Sequence, residues 1–449
     1  MPELTYSKVN RDILSTLQAP GPSYWLLLAI LVSGVGLGLF AESYQIYHGL
    51  GVAGLRPPTY WAIYITNFVF WVGIAHSGTL ISAILYLFRA RWRTPVYRSA
   101  EAMTVFAVMT AGLFPLIHLG RPWYFYWLIP YPNQRDLWPN FRSPLIWDVF
   151  AVGTYFTVST MFLYLGLIPD LAAVRDRATG WRKRLYTVLS LGWNGTEREW
   201  KHFNSTYMFF AAFATPLVVS VHSVVSWDFT MAIVPGWHST IFAPYFVAGA
   251  IHSGLAMVVT LLIPMRRLFR LDEFLTMRHF ERLAQLMILT GLIVGYSYAV
   301  EHFIAWYSGD EFEMSAFAHR AFGPWADFFW AMVVFNCVLP MLFFIRRVRR
   351  SVPWLITISV LINVGMWLER FVIIAGSLLH DYLPATWIFH YRPTWVEISI
   401  TAGSFCWFLM WFTLFVKLFP AVSMTEVKEA LPAPTKSSGP APVKQELPA

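Results

Sequence analysis

Histidine, carboxylate and arginine side chains recur at the ends of several long apolar runs. Because successive runs alternate in direction, these ends lie on the same side of the molecule. The run that closes near residue 120 ends in His118-Leu-Gly-Arg121, and the following run opens with Trp147-Asp148. Imidazole and carboxylate groups accept protons near neutral pH, and guanidinium groups stabilise negative charge. This combination predicts acid–base chemistry on a ligand that enters from one side. The set comprises His118, Arg121, Arg142, Asp148, His222, Asp228, Glu301, His302, Glu369 and Arg370.

The composition shows which elements position these groups. Of 449 residues, 57% are hydrophobic and 13% are charged, and the mean hydropathy is +0.51. A soluble protein carries about twice that charged share. Apolar runs of roughly 20 residues match the length that crosses a bilayer, so we predict an all-α polytopic membrane protein. The net charge of +8 then reflects basic membrane loops, and no nucleic-acid partner is expected.

Ten transmembrane helices are predicted within a domain at 24–420. A cytoplasmic segment at 1–23 precedes it, and a Pro- and Ala-rich tail at 421–449 is predicted to be disordered and cytoplasmic. We expect the first span to be retained, because no small-residue cleavage site follows it. The predicted spans are 24–43, 59–87, 101–120, 145–168, 205–227, 239–264, 282–304, 322–345, 353–377 and 395–419.

The connecting loops predict the orientation of these helices. One alternate set of loops and helix ends carries 19 Arg and Lys residues, whereas the other set carries six. By the positive-inside rule the first set and both termini are cytoplasmic, so the acid–base groups face the outside. We expect few ionisable groups in the inner half, where Glu101 and Lys417 lie near the boundary.

A short internal repeat predicts how the helices are grouped. Ala75-His76-Ser77-Gly78 in the second span recurs as Ile251-His252-Ser253-Gly254 in the sixth. The two copies are an even number of spans apart, so they point the same way through the membrane, as in a parallel repeat. We predict two parallel four-helix bundles, at about 59–227 and 239–377, plus two peripheral helices. A candidate proton path is formed by His76, His252, Glu301 and His302.

Each feature also has a purely structural interpretation. Arg121 and Arg142 are also explained by snorkelling to headgroups, and Asp148 by capping of its helix. His76 and His252 suit close helix packing, and Glu369 with Arg370 suits a structural ion pair. Haem ligation would need His222 with His302, or His118 with His222.

The motifs His118-Leu-Gly-Arg121-Pro-Trp and Arg142-Ser-Pro-Leu-Ile-Trp-Asp148 resemble those of the NrfD/polysulfide reductase membrane subunit family. Over about 20–420, Trp227-Asp-Phe and the WLERFVI segment at 367–373 are most similar to the quinol-oxidising subunit, ActC, of bacterial alternative complex III. An ActF-like, proton-translocating paralogue and the membrane anchor of a polysulfide or molybdopterin reductase remain alternatives.

The resemblance implies a quinone pocket at the periplasmic end of the first bundle, for menaquinone or ubiquinone. It implies no haem or iron–sulfur cluster in this chain and a place in the bacterial inner membrane. The implied partners are an ActB-like iron–sulfur subunit, a multihaem cytochrome c, an ActF-like subunit and other small membrane subunits. The implied pocket residues are His118, Arg121, Asp148, His222, Asp228 and Arg370.

Quinol oxidation releases two electrons and two protons, so a base is needed at each oxygen. We expect His118 or His222 to serve one hydroxyl and Asp148 or Asp228 the other. Four further residues are expected to bind the quinol or stabilise charge, namely Arg121, Arg142, Glu369 and Arg370. With only two cysteines, Cys337 and Cys406, the chain has no CxxC framework, so an external subunit must take the electrons.

Two interpretations of other kinds stay open. A secondary transporter would use the parallel repeat and the two mid-helix histidines, although few Pro or Gly interruptions and no mid-membrane carboxylate speak against it. A purely structural anchor for electron-transfer subunits would leave the acid–base set without a role.

Overall fold

The computed structural model describes residues 5–129, 143–380, 382–383, 387, 391–429 and 431, whose regular structure is helical. Ten of these helices are long and apolar enough to cross a membrane, which confirms the predicted fold class. They are α1 (Pro22–His48), α2 (Ile63–Leu87), α3 (Tyr97–His118), α4 (Pro144–Arg175), α5 (Glu197–Thr230), α6 (Phe242–Leu268), α7 (Met277–Ser308), α8 (Ala326–Phe344), α9 (Val352–Gly376) and α10 (Trp395–Leu418).

Local signals in the sequence set where several helices begin. At the start of α5, Thr196 and Glu199 form a capping box, in which each side chain bonds the backbone amide of the other. Thr394 and Glu397 do the same for α10. A proline occupies one of the first two positions of α1, α4 and α9, where no amide donor is needed. The residue at which a helix begins determines how deep in the membrane each following side chain lies.

The ten helices pack as two four-helix bundles and one separate pair. In the first bundle α2, α3, α4 and α5 contact one another in turn, and α5 returns to α2. The second bundle is closed in the same way by α6 to α9. Outside both, α1 packs on α10, and Gly38 and Gly403 let the two backbones touch. The predicted two bundles plus two peripheral helices are therefore present.

The bundles meet along α2 and α6, where the repeated motif lies. The repeat extends by one glycine upstream, at Gly73 and at Gly249, to Gly-x-x-His-Ser-Gly. A side chain at Gly254 would overlap the hydroxyl of Ser77, and Gly73 in turn faces Ser253. Each copy thus leaves room for the other, and the repeat has a direct role in packing.

The basic connections and the first and last described helices, Tyr6–Ser15 and Met424–Glu429, lie at one end of the molecule. Helix Tyr6–Ser15 packs on helix Met424–Glu429, and Lys8 forms an ion pair with Glu273 in the loop before α7. We call this the basic end and the other the distal end. The basic end contains the connections 88–96, 176–196, 269–276 and 345–351.

The first part of the C-terminal tail is ordered, which corrects the prediction of disorder from residue 421. Asp170 of α4 accepts hydrogen bonds from the backbone amides of Met424 and Thr425 at 3.1 and 3.0 Å. Arg93 forms an ion pair with Glu426 at 2.8 Å. The tail has these partners because the basic end of the first bundle offers a buried acid and an arginine. Residues 430 and 432–449 lie outside the described residues.

Seven of the ten membrane helices are interrupted, contrary to the expectation of few interruptions, and α3 is the one that breaks at a glycine, Gly112. Prolines lie inside α4, α5 and α6. Turns of π-helix occur at Leu80–Ile84 in α2, Val334–Val338 in α8 and Val372–Gly376 in α9. These turns contain or adjoin the buried polar residues Ser82, Asn336 and Arg370. Such irregularities are frequent at functional sites, because they redirect side chains from the regular helical positions.

Candidate functional site

Two aspartates face each other at the distal end of the first bundle. Asp148 is in the second turn of α4 and Asp228 is in the last turn of α5, and their carboxyl groups lie within hydrogen-bonding reach. The N-cap of α4 is Ser143, so Asp148 does not cap the helix. Each carboxyl group keeps one oxygen without a partner among the described residues. A hydrogen bond between two carboxyls requires a proton on one of them, so this pair can hold a proton and still accept another bond.

A pair of buried histidines lies deeper in the same bundle. His222 is on α5, six residues before Asp228 and therefore about 9 Å farther into the membrane. Its ring centroid is 4.5 Å from that of His76 on α2, and both residues are fully buried. Neither ring nitrogen of His222 has a partner within the described part of the chain. Because an unpaired buried polar group is costly, these nitrogens are suited to binding a ligand or water.

Hydroxyl groups continue from the histidines toward the middle of the bundle. The Tyr155 ring lies 5.2 Å from that of His76, and its hydroxyl is 2.7 Å from Oγ1 of Thr79. Below them is a small cavity of about 10 Å³, close to the space that one water needs. Its polar lining is formed by Thr79, Ser82, Glu101, Thr104 and Ser159.

Ionisable side chains complete this column at the basic end. Arg98, Glu101 and Asp170 are at most 3% exposed. Arg98 is 3.3 Å from Asp170, and Tyr207 donates to Glu101 at 3.3 Å. The expectation that the inner half holds few ionisable groups is therefore wrong for the first bundle. In the sequence Arg98 resembled a loop residue, but the tertiary structure buries it beneath the tail segment.

The second bundle contains its own buried polar cluster. Glu369 forms an ion pair with Arg370 at 2.8 Å and accepts a hydrogen bond from Tyr298 of α7. The Tyr245 side chain of α6 faces Glu369, and Asn336 of α8 donates to the Tyr298 hydroxyl at 3.0 Å. All four helices of this bundle thus converge on one carboxylate.

Arg370 is the link between the two bundles. Its guanidinium lies over the Phe246 ring, 4.2 Å from the centroid, and the same ring is 5.8 Å from that of His222. Phe246 therefore contacts both groups. Within the described residues the ion pair of Arg370 is with Glu369, which matches the structural interpretation of that pair.

The other members of the candidate proton path lie in the second bundle and around it. Glu301 is 3.3 Å from Arg320, which belongs to the distal helix Glu311–Phe322. His302 packs between Phe317 and Phe329.

The two repeated histidines belong to different bundles and make different contacts. His252 is hydrogen-bonded to Thr290 at 2.8 Å, whereas His76 is bonded to the carbonyl of Val72 at 2.6 Å. The four residues of the candidate proton path are therefore divided, with Glu301, His302 and His252 in the second bundle and His76 in the first.

The remaining candidates are His118, Arg121 and Arg142, and the first two differ in how far they are buried. His118 ends α3 and is half-buried, and its Nδ1 has no partner among the described residues. α3 packs on α4, which carries Asp148. Arg121 is exposed at the distal surface, and Arg142 lies outside the described residues. In the described ranges no group of three or more His, Cys, Asp and Glu side chains could hold a metal ion.

A sequence profile of the family described as Polysulphide reductase, NrfD matches residues 51–380. The chain belongs to the NrfD family. The resemblance carried by the motifs at 118–123 and 142–148 is thereby confirmed.

Three relatives match this NrfD-family chain along most of their length. A protein from Halobacterium salinarum, named as a membrane subunit of dimethyl sulfoxide reductase, is 29% identical over 88% of this chain and 90% of its own. The Hdr-like menaquinol oxidoreductase integral membrane subunit of Archaeoglobus fulgidus is 21% identical over 91% and 96%. A selenate reductase subunit of Mesobacillus selenatarsenatis is 21% identical over 89% and 95%. Each name describes a subunit of a reductase or an oxidoreductase.

Several polar residues of this NrfD-family chain were not singled out from the sequence. Tyrosine and asparagine occur widely in apolar helices, so their types alone did not indicate a site. Their common signal is burial of a hydroxyl or amide beside a carboxylate or histidine, which is visible only in the packed structure. They are Tyr155, Tyr245, Tyr298 and Asn336.

Proposed function

We propose that this chain is the quinone-binding membrane subunit of a multi-subunit oxidoreductase, with its reaction site at the distal end of the first bundle. The observation that carries the proposal is the Asp148–Asp228 pair with His222 beneath it. Asp148 and His222 are buried and Asp228 is half-buried, and all three keep hydrogen-bonding atoms without partners in the described residues. The names of the three relatives, one of which is a menaquinol oxidoreductase subunit, support a redox role.

The acid–base groups suit the removal of protons from a quinol. A quinol loses two electrons and two protons when it becomes a quinone. One carboxylate of the aspartate pair accepts the first hydroxyl proton, and the proton already shared between the carboxyls moves to its partner. His222 or His118 accepts the second, because a neutral imidazole has a free lone pair. The electrons leave to a partner subunit, which is supported by the names of the relatives as subunits of reductases and oxidoreductases.

The direction that we propose is quinol oxidation, with protons released at the distal side. The positive-inside rule would make that side periplasmic in a bacterial inner membrane. An ActB-like iron–sulfur protein and a multihaem cytochrome c would then dock there, and an ActF-like subunit would pack in the membrane. Purification of the intact complex tests this assignment. A c-type haem spectrum supports the alternative complex III type, whereas molybdopterin in its place supports a reductase anchor.

Proton translocation is a second candidate function, and the polar column of the first bundle favours it. The column runs from the aspartate pair through His222, His76 and Tyr155 to Glu101 and then to Asp170 at the basic end. The His76 ring lies 4.5 Å from that of His222 and 5.2 Å from that of Tyr155, and the small cavity beside Glu101 has room for about one water. Glu301, His302 and His252 would form a separate path through the second bundle.

The experiment that tests the quinone site replaces its acids with the matching amides. Asp148→Asn and Asp228→Asn keep shape but remove a base, so each should lower quinol oxidation in the assembled complex by about 100-fold or more. Asp327→Asn is the matched control, because Asp327 is an exposed acid at the same end. Near-normal rates in both site variants, with subunit stoichiometry unchanged, would show that the chemistry lies elsewhere.

A further inference from the structure

A cavity of about 370 Å³ lies at the basic end of the second bundle, far from the proposed quinone site. It is formed where the first turns of α7 meet the connection between α8 and α9. Its charged lining consists of Arg278, Glu281, Arg282, Arg346, Arg349 and Arg350.

The cavity carries a large excess of positive charge. Five of its lining residues are arginines, and Glu281 is the one acid among the lining residues that the structure describes. Glu281 accepts hydrogen bonds from Arg349 at 3.0 Å and from Arg350 at 2.9 Å, which holds those two guanidiniums in place. Arg278, Arg282 and Arg346 remain exposed. With one negative charge against five positive ones, the cavity favours an anionic ligand.

The first bundle provides an internal comparison. α3 opens with Arg98-x-x-Glu101, and α7 opens with the same spacing, Arg278-x-x-Glu281. In the first bundle the chain supplies further acids, since Asp170 lies 3.3 Å from Arg98 and the tail residue Glu426 pairs with Arg93. The corresponding place in the second bundle is lined by four more arginines instead. In the first bundle the chain's own acids neutralise the arginines. In the second bundle the excess positive charge is left for an external anion.

The surroundings of the cavity indicate an anion with apolar chains. Immediately toward the membrane, large apolar side chains are exposed on the same helices, among them Leu289 at 55%, Phe344 at 60% and Trp354 at 50%. Arg278 and Arg282 lie in the first two turns of α7, the level at which headgroups meet a spanning helix. A soluble anion would use the arginines but not this apolar surface.

We propose that this cavity binds an anionic phospholipid that carries two phosphodiester groups. The guanidiniums hold the phosphates, because their planar donor pairs match phosphate oxygens. The acyl chains lie on the exposed surface of α7 and α8. Basic pockets between membrane helices are a known setting for such headgroups. The proposal does not depend on the quinone reaction.

The test measures lipid binding to the full-length chain, purified with its accompanying subunits and stripped of lipid. Diphosphatidylglycerol is titrated into detergent solution, and binding is followed by native mass spectrometry. Arg282→Gln/Arg346→Gln should weaken binding about 30-fold, because each basic group near an anionic surface contributes a factor of about five. Lys183→Gln/Arg184→Gln removes two exposed charges at the same end and should leave the affinity within about twofold.

A third variant keeps the test informative if the double variant does not assemble. Glu281→Gln removes the competing carboxylate, so it should tighten binding of diphosphatidylglycerol. Equal affinity in all variants would overturn the proposal, as would equally tight binding of phosphatidylcholine. Displacement of the lipid by millimolar inorganic phosphate would also overturn it, since the cavity would then be a site for a soluble anion.

Discussion

At the scale of single residues, the aspartate pair is the most demanding arrangement in the chain. Two carboxylates that are both charged would repel each other, and burying each charge costs several kcal/mol. A shared proton relieves both costs and leaves a single negative charge to accept a hydrogen bond. The same pair would be a poor structural element, because an apolar contact would stabilise the helix ends at lower cost. Its chemistry therefore explains it better than its packing.

The role of His222 can be separated from its packing. His222→Gln keeps a buried polar side chain of similar reach but cannot take up a proton at neutral pH, so quinol oxidation should fall about 100-fold or more. His202→Gln is the control, because His202 is exposed on the same helix at the basic end. Turnover is measured in native membranes, with the amount of assembled complex as reference. A His222→Gln complex that turns over normally would exclude this imidazole as a base.

At the scale of elements, the short helix Met424–Glu429 shows how pH can act on docking of the tail. Burial raises the pKa of Glu426, and the nearby Arg93 guanidinium offsets part of that shift. Burial also raises the pKa of Glu429, and the charge of Glu426 raises it further. A raised pKa in the docked state means that docking is most stable at low pH and weakens as pH rises through the shifted values.

We therefore expect the amides of 424–429 to exchange hydrogen faster at pH 8 than at pH 5, after correction for the intrinsic dependence of exchange on pH. Glu426→Gln/Glu429→Gln should remove this difference, because neither side chain can then ionise. Hydrogen exchange read by mass spectrometry measures it, and peptides from the interior of α2 serve as the internal reference. The opposite trend, with docking strengthened by rising pH, would mean that the Arg93–Glu426 ion pair outweighs the cost of burial.

The interface between the two bundles depends on the absence of side chains at a few positions. A Cβ atom at Gly254 would lie 2.7 Å from the carbonyl oxygen of Ile74, a backbone atom that cannot turn away. Gly254→Ala should lower the free energy of unfolding by about 1–3 kcal/mol through overpacking. Gly153→Ala is the control, since nothing lies within 4 Å of its Cβ position in α4. Thermal unfolding in detergent reports the difference, and equal stability of the two variants would contradict the close contact.

At the scale of the whole molecule, the asymmetry of charge makes one prediction about orientation. Both termini should face the cytoplasm, because the first and last described helices, Tyr6–Ser15 and Met424–Glu429, share an end with the basic connections. A cysteine introduced at Trp123, which is 54% exposed at the distal end, should react with a membrane-impermeant thiol reagent in intact cells. A cysteine at Lys183 should react only after the membrane is opened. Labelling of the Lys183 position alone in intact cells would invert the orientation and move the quinone site to the cytoplasmic side.

The number of helices, their approximate ends and the end at which the basic loops gather were all predictable from the amino-acid sequence. These properties depend on runs of apolar residues and on loop charge, which act locally as each segment enters the bilayer. Residue types also singled out Asp148, Asp228, His222 and Arg370 as unusual for a membrane interior. The family motifs at 118–123 and 142–148 were likewise recognisable without coordinates.

Which of these groups meet became clear only from the packing of the helices. Packing paired Asp148 with Asp228, set His222 against His76, and brought the Arg370 guanidinium over the Phe246 ring. Packing also ordered residues 421–429, which the sequence predicted to be a disordered tail. It buried Arg98, which the sequence placed in a loop. The physical reason is that contacts between helices depend on the rotation and register of each helix. Rotation and register are set by close contacts such as that of Gly254 with Ser77, and each such contact involves residues that are far apart in the chain.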